Sequence, residues 1–128
     1  MSNTIHALLI DDDNFNLEVL NRFLTNEGIA CSSVQNVKHI RSTVTSAPQI
    51  DLVFLDLEMP QMDGYEVFRL LRSTLGGDVP IVACTVHVNE ISRARDLGFT
   101  GFISKPLDQQ RFPQQVKRLL QGEQVWEV

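Results

Sequence analysis

Apolar residues alternate along this chain between two kinds of spacing. Short runs at IHALLI (5–10), IACSSV (29–34), LVFL (52–55), VPIVACT (79–85) and GFIS (101–104) read as five strands. The unbroken run Leu52–Leu55 is the pattern of a strand buried on both faces, as in a parallel sheet. Between the strands, apolar positions recur three and four apart. Leu17, Leu20 and Leu24 lie on one face of a first helix, which Gly28 closes. Val37, Ile40 and Val44 mark a weaker second helix within 36–47. YEVFRLLRSTL (65–75) is a third, ended by Gly76, Gly77 and Asp78, and NEISRARDLG (89–98) is a short fourth. The fifth carries Phe112, Val116, Leu119 and Leu120. Pro113 cannot sit in its interior, so the helix is expected to begin near Phe112 with the proline in its first turn.

This alternation predicts an α/β fold, a (βα)5 doubly wound parallel sheet of strand order 2-1-3-4-5, filling 1–128 as a single domain with a core of about 5–121 and a short tail. A chain of 128 residues that is 43% hydrophobic and 21% charged suits one such domain. The net charge of −5 argues against unaided binding to nucleic acid or an anionic membrane. Two cysteines, Cys31 and Cys84, without a C-x-x-C spacing, argue against a zinc site or disulfide framework. Neither a signal peptide nor a membrane-spanning run is legible, which predicts a cytoplasmic protein.

In such a sheet, sites form beyond the carboxyl ends of the strands. The residues ending the strands here are Asp11 and Asp12, then Asp56, Thr85 and Lys105. An aspartate closing the most apolar strand is out of place unless its charge is compensated. Three carboxylates together repel and raise at least one pKa. A divalent cation removes that conflict, and hard oxygen donors suit Mg²⁺. Carboxylates, cation, lysine and hydroxyl form a phosphoryl-transfer site. Asp13 reads separately, as the cap of the first helix.

The segments LLIDDDNFN (8–16), LVFLDLEMPQMDG (52–64), PIVACT (80–85) and GFISKP (101–106) together resemble the response regulator receiver domain of two-component signalling, close to its single-domain chemotaxis type. The resemblance covers essentially the whole chain. It implies that Asp56 is the phosphoacceptor and that Asp11, Asp12, Asp56 and the backbone carbonyl of Glu58 hold Mg²⁺. It implies that Thr85 and Lys105 engage the phosphoryl group, that the Lys105–Pro106 peptide is cis, and that Thr85 and Phe102 form a switch. In this family the positions two after the phosphoacceptor and two after the threonine, here Glu58 and His87, tune phosphate lifetime. Two departures stand out: Val86 replaces a smaller Ala or Gly, and Phe102 replaces the common tyrosine.

The implied partners are a sensor histidine kinase or phosphotransfer protein and a downstream protein, with self-association through the fourth helix, fifth strand and fifth helix also open. That face carries Ile91, Arg93, Arg95 and Phe102. About 20 residues after Pro106 suffice for one helix and a tail. No dedicated substrate turnover is expected, only the chain's own phosphorylation and dephosphorylation. Two other readings compete: a docking domain that signals without phosphate, and a haloacid-dehalogenase-type phosphatase using Asp56 with a second acid at Glu58. His87 reads equally well as a plain loop histidine. Met59 and Met62 read as packing residues. Trp126 stands open between packing on the last helix and contact with a partner.

Overall fold

The computed structural model describes residues 4–47, 49–60 and 62–127. Its strands are β1 (His6–Ile10), β2 (Ala30–Val34), β3 (Leu52–Leu55), β4 (Ile81–Thr85), β5 (Gly101–Ser104) and β6 (Val125–Glu127). The helices are α1 (Asn14–Asn26), α2 (Ile40–Ser46), α3 (Gly64–Leu75), α4 (Ile91–Leu97) and α5 (Phe112–Leu120). The sheet runs in the order β2-β1-β3-β4-β5-β6, and every pairing in it is parallel. The doubly wound fold and its first five strands thus agree with the sequence reading. The tail does not remain a tail, because Val125–Glu127 adds a sixth strand beside β5. A second departure is small: Glu58–Met59 and Met62–Asp63 form a two-residue antiparallel ladder in a segment read as loop. Gln61 and the side chain of Met62 lie outside the described residues.

Strand side chains point alternately to the two faces of a sheet, so each strand feeds two cores. Ala7 and Leu9, Leu52 and Phe54, Val82, and Ile103 join Leu17, Leu20 and Leu24 of α1 and Phe112, Val116 and Leu119 of α5. Leu8 and Ile10, Val53 and Leu55, Ile81 and Ala83, and Phe102 join Ile40 of α2, Val67, Phe68 and Leu71 of α3, and Ala94 of α4. Each fully buried side chain of this size contributes about 1.5–3 kcal/mol. Asp13 caps α1 by accepting a hydrogen bond from the Phe15 amide at 2.9 Å. Pro113 stands in the first turn of α5, where its missing N–H costs nothing. Among the described residues no helix is long and apolar enough to cross a membrane.

The segment leaving β3 is pressed against the start of α3. A Cβ on Gly64 would lie 2.6 Å from the Leu57 Cα and 3.0 Å from its carbonyl oxygen. Backbone cannot yield as a flexible side chain does, and overpacking of this kind costs about 1–3 kcal/mol. Gly64→Ala is therefore expected to lower the unfolding free energy by about 2 kcal/mol in a denaturant titration. A midpoint equal to wild type would show that this approach is not tight.

Candidate functional site

Parallel register brings the strand ends together. Ile10 is the Cα partner of Leu55, Leu55 of Ala83, and Thr85 of Ser104. The next residues continue the ladders: the Asp56 amide donates to the Ile10 carbonyl at 2.9 Å, the Asp11 amide to Val34 at 3.2 Å and the Lys105 amide to Thr85 at 2.9 Å. Asp11, Asp56, Thr85 and Lys105 therefore stand at adjacent positions along one edge. The Lys105–Pro106 peptide is cis.

The Lys105 ammonium donates to Asp11 Oδ2 at 2.7 Å and lies 3.7 Å from Asp56 Oδ2. Asp11 Oδ1 accepts from the Asp13 amide at 2.9 Å, and Asp56 Oδ1 from the Glu58 amide at 3.1 Å. Both carboxylates are buried. Asp12 is half-buried and completes a set whose ligand oxygens all lie within 4.8 Å of one another. Thr85 is buried at the end of β4, and its hydroxyl oxygen accepts from the His87 amide at 3.3 Å. With that lone pair engaged, the hydroxyl proton is the group left to donate.

One lysine does not neutralise three acids. Burial first, then the charge of Asp11, pushes the Asp56 carboxyl up to about 6, against the pull of the Glu58 amide and Lys105. Burial and the neighbouring Asp11 also raise Asp12. For Lys105, burial pulls the pKa down, but the bond to Asp11 and the charges around it outweigh burial and leave it raised. Burial pushes the Cys84 thiol up to about 12, so Cys84 is an inert wall of the site rather than a redox group. Three clustered hard oxygen donors with uncompensated charge fit a small divalent cation such as Mg²⁺.

Several side chains are placed where sequence reasoning did not put them. His87 Nε2 and Glu58 Oε1 are 3.3 Å apart, so the two positions flanking Asp56 and Thr85 meet across the mouth of the site. The Glu58 carboxylate, half exposed, is thereby turned away from the aspartate set. Tyr65, at the start of α3, donates its hydroxyl to Glu90, just before α4, and the Arg93 guanidinium sits 3.9 Å from the centre of its ring. Nothing in the spacing of Tyr65 and Glu90 announced that link. Phe102 is completely buried, and Val86 and Phe15 are exposed at the rim. A small apolar cavity of about 150 Å³ lies behind the site, between Phe15, Phe54, Cys84, Pro106 and Leu107.

The family model for the response regulator receiver domain matches residues 7–117. The chain is 30% identical over 111 residues to the osmosensing histidine protein kinase of Saccharomyces cerevisiae, covering 81% of this chain and 9% of that protein. It is 28% identical over 117 residues to the chemotaxis protein CheY of Treponema pallidum, covering 89% of this chain and 81% of that protein. The crystal structure of a two-component response regulator from Clostridium difficile superposes with a TM-score of 0.82 at 27% identity, covering 92% of this chain and 97% of that one. The chain spans 14% or less of the first histidine kinases it matches.

The raised Asp56 pKa carries a sign. Folded protein holds this proton up to about pH 6, whereas an unfolded aspartate releases it near 3.9. Between those values the folded state binds more protons, so its stability falls as pH rises. In Mg²⁺-free buffer, Asp56→Asn is expected to gain on the order of 2–3 kcal/mol over wild type above about pH 6, a difference that fades below about pH 4. Unfolding titrations at pH 4 and pH 8 measure it, and equal stabilities at pH 8 would contradict the strain assigned to Asp56.

Proposed function

The chain belongs to the response regulator receiver family, and from that premise we propose that Asp56 accepts a phosphoryl group from a phosphohistidine of a sensor kinase or phosphotransfer protein. The observation that carries this reading is the meeting of Asp11, Asp12, Asp56 and Lys105 at one sheet edge. β3 fixes the Asp56 carboxylate, and the Glu58 amide orients it through Oδ1. A carboxylate whose pKa is about 6 is mainly ionised at neutral pH while keeping a basicity that favours attack. The carboxylate oxygen attacks phosphorus, the P–N bond breaks, and the departing imidazole nitrogen keeps the electron pair and takes up a proton. Lys105 is poised to move from Asp11 to an oxygen of the new acyl phosphate, and the Thr85 hydroxyl to donate to another. Mg²⁺ held by Asp11, Asp12, Asp56 and the Glu58 carbonyl would neutralise charge on the transferred group.

The acyl phosphate adds charge and acceptor oxygens at the loops after β4 and β5. It biases an equilibrium between two arrangements of the chain. Moving that equilibrium from 1:99 to 99:1 takes about 5.5 kcal/mol of differential stabilisation. The exposed Phe15 and Val86 suit a docking surface for the phosphodonor. The downstream target is a protein that reads the face of α4, β5 and α5. A phosphatase reading is disfavoured by the Glu58 side chain, which faces His87 instead of the aspartate set. Such an enzyme would need that acid aimed at the leaving group.

Intact-protein mass after treatment with acetyl phosphate tests the proposal. One phosphoryl group should be added in the presence of Mg²⁺, none with chelator, and none in Asp56→Asn. An adduct that persists in Asp56→Asn would exclude Asp56 as the acceptor. Glu58→Gln should alter the lifetime of the adduct without creating turnover of a small phosphate ester. Multiple turnovers by wild type, lost in Glu58→Gln, would instead establish a phosphatase.

A further inference from the structure

The receiver reading leaves β6 without a role. After α5 the chain turns through 121–124 and returns beside β5, pairing Val125 with Gly101, Trp126 with Phe102 and Glu127 with Ile103. Val125 is completely buried on the face of α1 and α5. Trp126 turns to the other face beside Phe102, with the Arg95 guanidinium of α4 4.6 Å from its ring. Glu127 turns back to α5, where its carboxylate accepts from Gln115 Nε2 at 2.7 Å and pairs with Arg111 at 3.1 Å and Arg118 at 3.4 Å. Three residues thus fasten α4, β5 and α5 to one another.

The seat has no slack. A Cβ on Gly101 would lie 2.4 Å from the Val125 carbonyl oxygen, so β6 approaches β5 this closely only because residue 101 is a glycine. The seat is also weakly held. A strand of three residues is at the short end of what sheets contain. Among the described residues, the buried Gln115 Oε1 has no hydrogen-bond partner while its amide nitrogen holds Glu127. Opening the strand would hydrate that oxygen and relieve its cost. The other edge of β5 leads directly to the site: Ser104 pairs with Thr85, and Lys105 follows Ser104. Lys105 is held by Asp11 at 2.7 Å.

We propose that β6 is a strap coupled to the phosphoryl site, seated while Asp56 is unmodified and loosened when Asp56 carries a phosphoryl group. The inference rests on the receiver reading and adds a regulatory element to it. When Lys105 exchanges Asp11 for a phosphoryl oxygen, the end of β5 shifts, and a seat fitted this closely to β5 loses contact. Release uncovers the β5 edge and the Trp126 ring, which changes the face offered to a downstream protein. Coupling of this kind is reciprocal, so a strap weakened at its far end must favour the modified state.

Trp126 is the sole tryptophan of the chain, so its fluorescence reports the strap directly. The full chain would be treated with Mg²⁺ and acetyl phosphate, or with Mg²⁺ and beryllofluoride as a phosphoryl analogue. Acrylamide quenching of Trp126 and intact mass would be read on the acetyl phosphate samples. Quenching should rise severalfold with the modification and stay unchanged in Asp56→Asn. Glu127→Ala should tighten Mg²⁺-dependent beryllofluoride binding about 5-fold or more. Arg95→Ala, a surface change that removes only the cation over the ring, should act in the same direction. An adduct seen by mass with Trp126 quenching unmoved and both variants binding beryllofluoride like wild type would overturn the strap and leave the receiver reading intact. No Asp56-dependent adduct at all would overturn the receiver chemistry itself and the coupling with it.

Discussion

One ammonium among three carboxylates sets the terms for this protein. Lys105 lies 2.7 Å from Asp11 and 3.7 Å from Asp56, and it neutralises neither fully. A fold selected only for stability would not leave buried acids in deficit, because an uncompensated buried charge is among the costlier defects a core can carry. The deficit is what makes the site receptive. In the proposed function it would call for a cation, keep Asp56 basic enough to attack, and give Lys105 a better partner once a phosphoryl group arrives. The two cores on either face of the sheet supply the stability against which this strain is held.

Register converts that chemistry into geometry. In a parallel sheet every strand ends on the same side, so residues 11, 56, 85 and 105, far apart in the chain, become neighbours without any dedicated scaffold. The loops after β3 and β4 then only have to avoid obstructing the edge. Gly64 lets the start of α3 close against Leu57, and that approach fixes the backbone carrying the Glu58 amide to Asp56. The packing of a helix start and the orientation of the Asp56 carboxylate are thus one constraint.

Most of this was legible in the sequence, for a definite reason. Strands buried on both faces leave unbroken apolar runs, and the polar residues ending those runs meet at one sheet edge. Pro113 restricted the start of α5 to about one residue, and α5 does begin at Phe112. Legibility failed where contacts join short, polar or exposed segments. Glu58 and His87 are each singled out by position, but nothing in the spacing joins them, and only their 3.3 Å separation makes them a pair. Tyr65 and Glu90 fall in separate predicted helices with no spacing that links them, yet a hydrogen bond ties α3 to the approach of α4. Val125–Trp126–Glu127 is too short for a period of two to register. The clue was elsewhere, in Gly101 opening a strand with no turn to make.

These missed contacts share a property that the legible ones lack. The cores hold the body of the sheet and helices together through many buried apolar contacts. The Glu58–His87 pair, the Tyr65–Glu90 bond and β6 instead join the elements that follow β3, β4 and β5, where a new charge at the site would act. The first two are single contacts between polar or half-buried groups and β6 is only three residues long, so each is small beside the two cores. The proposed switch would need both classes: a body that holds Asp56, and a peripheral set weak enough for one phosphoryl group to rearrange. Contacts that must be able to break cannot be written as strong periodic patterns, which is why they escape a reading built on periodicity.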